Sequence, residues 1–342
     1  MKLLKEFKFN STTLQLIGFN IVIFMIFTIL RPERFPTLSN LRSMGFQFPE
    51  LGFFTLGLAL VMLTGGINLS IVAVGNLTAT ITGMLLLSRL PPTASGAETA
   101  PYIIICVFIA LLVGIVCGSL NGFLVAYLKI PPILATLGTQ NIFIGISMVL
   151  TKGSGAFGLL PASVNYIGSG TLFGFLPFPL FLFIITLALF YIIIHKTPYG
   201  LKTQWFGSNN KVSFYSGINN VKTVFITYIY STVLGSLTGI LVLARTNTAQ
   251  HDYGVAYVLQ ALLISNLAGI GGGKGNILNV LLSIFAIQMV DSGFNFLRIS
   301  SFVRASTYGI MLILSVALEY TIRHYRLKKM AKKAELASGA AA

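Results

Sequence analysis

The chain has 342 residues, of which 55% are hydrophobic and 9% charged, whereas an average soluble domain carries about 25% charged residues. So few charges exclude a soluble enzyme, a coiled coil, a disordered chain and a collagen-like fibre, and long apolar runs argue against a membrane β-barrel, whose strands alternate over ~10 residues. The net charge of +15 reads as topology rather than as nucleic-acid binding, because Lys and Arg gather on the cytoplasmic side of membrane proteins.

The chain starts with a basic stretch, Met1 to Lys8. The apolar run from Thr12 to Leu30 is too long for a signal core, and Arg31-Pro32-Glu33-Arg34 follows with no small-x-small cleavage site, so a retained first span is expected. Ten spans of an all-α integral membrane protein are predicted, at 12–30, 51–64, 69–87, 101–128, 133–151, 177–194, 223–243, 256–269, 277–295 and 304–322. The second and eighth are short for a bilayer core of ~30 Å at 1.5 Å per residue. Both end in glycine-rich breaks, Gly65-Gly66 and Gly269–Gly275. Short, Gly-interrupted spans mark broken helices near the substrate path of transporters, so Gly65, Gly66, Gly269, Gly272 and Gly273 are candidate break residues.

Ten spans put both termini on one side. With that side cytoplasmic, the inner pieces hold 15 of the 23 basic residues, which is the expected bias. The inner loop 195–222 is polar yet carries Trp205, Phe206, Phe214 and Tyr215. Four aromatics on a polar loop fit a short amphipathic element that docks on another protein, or rings at the lipid interface. On the outer side, Arg31, Arg34, Arg89, Arg245 and Arg298 would orient an acidic partner or anchor to headgroups. The stretch 323–342 is a basic tail. Near the end of the first half, Asn121 to Ile130 is echoed by Gly293 to Ile299, as in transporters built from paired halves.

The chain lacks catalytic chemistry. Gly271-Gly272-Gly273-Lys274-Gly275 lacks the spacing of a phosphate loop and does not follow a strand. His195, His251 and His324 are far apart, so no metal site is expected. Cys106 and Cys117 sit in an apolar run and read as small hydrophobes. Asp291 and Glu319 are the candidate intramembrane carboxylates. Glu319 has Arg323 at i,i+4; Asp291 could pair with Arg298 or Arg304, or line a polar cavity. So few ionisable groups argue that the energy for transport comes from elsewhere. Uncharged polar groups are plentiful. Thr64, Asn68, Asn76, Asn121, Thr136, Thr139, Gln260, Ser265 and Asn266 are singly explained as interhelical glue. As a set they fit a pathway for an uncharged polyhydroxy solute, since buried amides must face protein or water.

Leu63-Thr64-Gly65-Gly66-Ile67-Asn68-Leu69-Ser70 resembles the L-T-G-G-I-D-L-S motif of permease subunits of bacterial ABC importers for ribose, galactose, xylose and related monosaccharides, the autoinducer-2 importers included. Further matches come in family order. They are Asn121-Gly122-x-Leu124-Val125-Ala126, Ala135-Thr136-Leu137-Gly138-Thr139, Thr197-Pro198-Tyr199-Gly200, Gly207-Ser208-Asn209, Ser216-Gly217-Ile218 and Leu267-Ala268-Gly269-Ile270-x-Gly272-Gly273-x-Gly275. They cover about residues 50 to 315. The resemblance implies about ten helices per subunit and a dimer of permeases, identical or not. It also implies two cytoplasmic ATPase subunits that bind ATP and Mg, and an extracytoplasmic binding protein. Loop 195–222 would be the coupling element, with Gly200, Phe206, Gly207, Asn209, Tyr215, Ser216, Gly217 and Ile218 at the ATPase. The location implied is the bacterial cell membrane. The family's Asp stands here as Asn68 and a family Gly as Val72, a departure expected of one half of a heterodimer.

Overall fold

A computed structural model describes residues 11–318 and Thr321. The basic start, Glu319 with Arg323, His324 and the tail 323–342 lie outside the described residues. The chain is almost wholly helical. It comprises α1 (Ser11–Leu30), α2 (Leu38–Leu63), α3 (Ile71–Arg89), α4 (Gly96–Gly122) continued by a π-helical turn Phe123–Tyr127, and α5 (Pro132–Leu150). These are followed by α6 (Ala162–Ser169), α7 (Phe178–Lys196), α8 (Pro198–Ser208), α9 (Asn210–Tyr215) and α10 (Asn220–Thr246). The chain continues through α11 (Ala256–Leu267) and α12 (Ile277–Phe296) to α13 (Ser301–Leu318). Two antiparallel two-stranded pairs, β1 (Ala156–Phe157) with β4 (Thr248–Ala249) and β2 (Thr171–Leu172) with β3 (Leu176–Pro177), clip the loops together at one end.

Among the described residues, 9 helices are long and apolar enough to cross a membrane, and the chain is a multi-pass membrane protein. Of the two helices expected to be short, α11 is, with 12 residues. The second is not: α2 has 26 residues and starts at Leu38, where 51 was expected. Thr37 caps it, its Oγ1 accepting from Asn40 N at 3.2 Å. Pro49 stands inside the helix and costs one backbone hydrogen bond, but the helix is the most enclosed of the spans and packing overrides the breaker. The predicted inner loop is likewise two helices. Thr197 and Asn209 cap them, with Gly200 N donating to Thr197 Oγ1 and Lys211 N to Asn209 Oδ1.

The core lies where α2 and α10 meet, with α3, α4, α11 and α12 around them. The helices approach closely because small residues face one another. Gly114, Gly118 and Gly122 form a stripe on α4, and a Cβ on Gly118 would stand 2.6 Å from Cα of Ile229 on α10. Such small-residue stripes let helix backbones touch in lipid. Thr232 Oγ1 uses the contact to donate to Gly114 O at 2.7 Å. Gly118→Leu should therefore cut the yield of monodisperse protein in size-exclusion chromatography at least several-fold, because the obstacle is backbone and cannot move aside. Gly138→Leu, with open space around it, should leave the yield unchanged.

The internal echo has a structural counterpart. The helical segment ending at Tyr127 and helix α12 close in the same way, through a basic residue in the left-handed region: Lys129 and Arg298, each at φ 55°. Ile130 N then donates to Leu124 O at 3.1 Å and Ile299 N to Phe294 O at 3.0 Å, the reverse bond that satisfies orphan carbonyls. The two closures lie at opposite ends of the molecule.

Candidate functional site

The two glycine breaks meet. Gly273 N donates to Leu63 O at 3.1 Å, so the loop after α11 is hydrogen-bonded to the end of α2. Helix α8 seals the junction. Ser208 Oγ donates to Gly272 O at 3.2 Å, and a Cβ on Gly207 would overlap Leu63 O and stand 2.6 Å from Gly273 N. Gly65, Gly269, Gly272 and Gly273 all have positive φ, from 55° to 78°, which Gly reaches without strain. A Cβ on Gly66 would stand 2.9 Å from the Tyr228 hydroxyl oxygen. Sequence reasoning named the two breaks and the α8 residues separately, and the fold brings them into one contact.

The residues expected to couple divide by direction. Trp205, Phe214 and Tyr215 face outward, at 55%, 66% and 86% exposure. Ser216 is exposed and Gly217, at φ 77°, has open space around it. Gly200, Phe206, Gly207 and Ile218 face the chain itself. Gly200 packs on the last turn of α7, Phe206 joins Val61, Val224 and Tyr228, and Ile218 is buried. Asn209 caps α9. Tyr199 anchors α8 to α10 through a 2.8 Å bond with Thr227, and burial pushes its phenol up to about 12. A cavity of about 370 Å³ opens beside these helices, lined among others by Thr64, Gly65, Gly66, Lys129 and Asn210.

The neutral polar set does not share one cavity. Asn68, Ser70, Asn121 and Thr139 form a buried chain. Asn68 Nδ2 donates to Ser231 Oγ at 2.9 Å, Ser70 Oγ to Asn68 Oδ1 at 2.9 Å, Asn121 Nδ2 to Ser70 Oγ at 2.8 Å and Thr139 Oγ1 to Asn121 Oδ1 at 2.6 Å. Thr136 Oγ1 accepts from Leu69 N at 3.2 Å. These side chains weld α3, α4, α5 and α10 just beyond the first break. Asn76 donates to the carbonyls of His251 and Tyr253 and holds the 247–255 segment against α3. Asn266 donates to Ser315 on α13 at 2.8 Å, and Ser265 is buried beside it. Thr64 lines the cavity at the α8–α9 end, and Gln260 a different one.

One group escaped the sequence reading. Glu50 has no exposed surface, and Arg245 grips it with two bonds, Nε to Oε1 at 2.5 Å and Nη2 to Oε2 at 2.8 Å. Tyr257 donates to the same carboxylate at 3.2 Å. Burial and this carboxylate raise the Tyr253 phenol above its ordinary range. A second span beginning at 51 leaves Glu50 in the preceding loop, and Arg245 reads as an outward charge. The capping signal at Thr37 would have brought Glu50 inside the helix. Asp291, the expected intramembrane carboxylate, is met by the Tyr308 hydroxyl and by Gln260 Nε2 at 3.2 Å.

The chain matches the family described as branched-chain amino acid transport system / permease component over residues 40–316. The ribose import permease protein RbsC of Bacillus subtilis (strain 168) is 29% identical over 304 residues, 87% of this chain and 89% of that protein. The autoinducer 2 import system permease protein LsrD of Photorhabdus laumondii subsp. laumondii is 28% identical over 290 residues, 82% of this chain and 84% of the relative. That of Yersinia pestis (strain Pestoides F) is 28% identical over 277 residues, 79% and 80% of the two chains. No solved structure matches the chain.

Proposed function

This chain belongs to the branched-chain amino acid transport system / permease component family, and from that membership we propose that it forms the translocation pathway of an ATP-driven importer for a monosaccharide, ribose-like in class. Its partners are cytoplasmic ATPase subunits that bind ATP and Mg, a second permease, and an extracytoplasmic binding protein. The bias of basic residues supports a cytoplasmic side for the termini and the α8–α9 end. The observation that carries the reading is the contact of α8 with both glycine breaks. Trp205, Phe214 and Tyr215 seat in the ATPase. When ATP closes the ATPase pair, α8 and α9 move with it. Gly207, packed between Leu63 and Gly273, passes that movement to the ends of α2 and α11, so the two breaks change together.

The test is uptake of radiolabelled ribose into proteoliposomes holding the whole importer, with ATP hydrolysis measured in parallel. Tyr215→Ala with Trp205→Ala should lower both by about ten-fold or more, since exposed aromatics are the usual energetic centres of an interface, while the protein stays monodisperse. Unchanged hydrolysis in this variant would detach the α8–α9 end from the ATPase. Transport by the chain alone would instead indicate an ion-coupled carrier. The autoinducer-2 relatives favour a second reading, import of autoinducer-2, which is selected if that compound and not ribose competes for uptake.

A further inference from the structure

A second cavity, of about 180 Å³, lies between α2, α11, α12 and α13, away from the α8–α9 end. Its wall carries four amides, one carboxylate and one guanidinium, with Leu51 and Tyr257 completing it. Gln47 comes from α2, Gln260 from α11, Gln288 and Asp291 from α12 and Arg304 from α13. Gln288 and Asp291 stand three residues apart and so share a helix face. Three further facts mark this as more than interhelical glue. Gln260 is only 4% exposed, lines the cavity, and its Oε1 has no hydrogen-bond partner among the described residues. That oxygen has no exposed surface of its own, so Gln260 serves the cavity through its Nε2, which is bonded to Asp291. The Gln288–Gln47 bond is long, at 3.4 Å, and exchanges readily for another partner. Finally, Asp291 is oriented by Tyr308 and Gln260 Nε2, which leaves lone pairs of the carboxylate for a further donor.

We propose that this cavity is a solute-binding site for a neutral polyhydroxylated molecule of monosaccharide size. Hydroxyls of such a solute donate to the Asp291 carboxylate, which Gln260 Nε2 holds in place, and accept from the side-chain amides of Gln288 and Gln47 and from Arg304. A charged solute would leave either Asp291 or Arg304 unbalanced, whereas a neutral one keeps both. The volume is below the ~300 Å³ at which drug-sized pockets begin, which confines the occupant to one sugar ring. With the α8–α9 end in the cytoplasm, this site lies towards the outer face, where sugar arrives from the binding protein. The inference rests on the permease reading.

The test uses the full chain with Asn295→Cys. Asn295 is exposed and lines the same cavity, and the native Cys106 and Cys117 are buried and give a silent background. A small charged methanethiosulfonate reagent is added from the outer side, with D-ribose, D-xylose or D-galactose present. Bound sugar slows labelling by 1 + [L]/Kd, about ten-fold when the sugar stands near ten times its Kd. Addition of Gln260→Leu should remove the protection while leaving the unprotected labelling rate unchanged. If Gln260→Leu is not monodisperse, Gln288→Met asks the same question from α12. Uptake of each of the three sugars by the whole importer with the natural chain is measured beside it. Uptake without protection by any of the three sugars overturns the site and leaves the permease reading intact. Protection by a sugar with no uptake of any of the three upholds the site and overturns the monosaccharide-import reading. A thiol that is inert in all conditions, or protection that survives both variants, overturns the site.

Discussion

Arg245→Ala lowers the melting temperature of the purified protein by about ten degrees, on the order of 3–5 kcal/mol for a buried pair broken on one side. The cause is the carboxylate left behind. Glu50 has no exposed surface, so without the guanidinium its charge has no water to turn to. Tyr257, at 3.2 Å, donates one bond and cannot replace two. Glu50→Gln in the same chain should recover most of the loss, because an amide needs no counter-charge. The buried Cys106 and Cys117 supply the readout, since a thiol-reactive dye reports their exposure on unfolding. A single Arg245→Ala variant that melts within a degree or two of the natural protein would show that the pair carries no stability. The pair ties α2 to the last turn of α10 and to the 253–257 segment, so its loss should also loosen the end of the molecule away from α8 and α9.

Gly207→Leu abolishes uptake while leaving the ATPase bound. The position has no room: a Cβ overlaps Leu63 O and stands 2.6 Å from Gly273 N, and both obstacles are backbone. Helix α8 must then lift from the junction, and its bonds to Gly272 and the loop after α11 fail. The outward residues Trp205, Phe214 and Tyr215 are untouched, so co-purification with the ATPase should persist while ATP hydrolysis no longer responds to the sugar-loaded binding protein. Gly272→Ala is the contrast. Its surroundings are open, so its cost is the left-handed backbone alone, about 1–2 kcal/mol, and uptake should fall far less than in Gly207→Leu. Equal uptake by Gly207→Leu and the natural chain would separate α8 from the glycine breaks.

The sequence by itself determined the class of this protein and its family. With 9% charge most of the surface must be lipid-facing, and helices follow because every backbone group in lipid must bond internally. The ordered motifs from Thr64 to Gly275 identified the family, and both Gly breaks and the aromatic loop were legible because glycine and aromatics on a polar loop have few other uses. Helix starts were less legible. Pro49 and Glu50 look like the end of a loop, and only burial on all sides makes them the interior of α2. Tertiary structure alone decided the partners. Asn68, Asn121 and Thr139 have the same composition signal as Gln260, yet the first three satisfy one another across helices, whereas Gln260 lines a cavity and holds Asp291. Glu50 and Arg245 are far apart along the chain, and nothing in their neighbours announces the pair. Hydrogen bonds and ion pairs act over a few ångströms, and which groups come that close depends on how α2, α10 and α12 pack. Packing in turn depends on shapes such as the Gly114–Gly118–Gly122 stripe meeting the backbone of α10, a property of two surfaces together and of neither sequence segment alone.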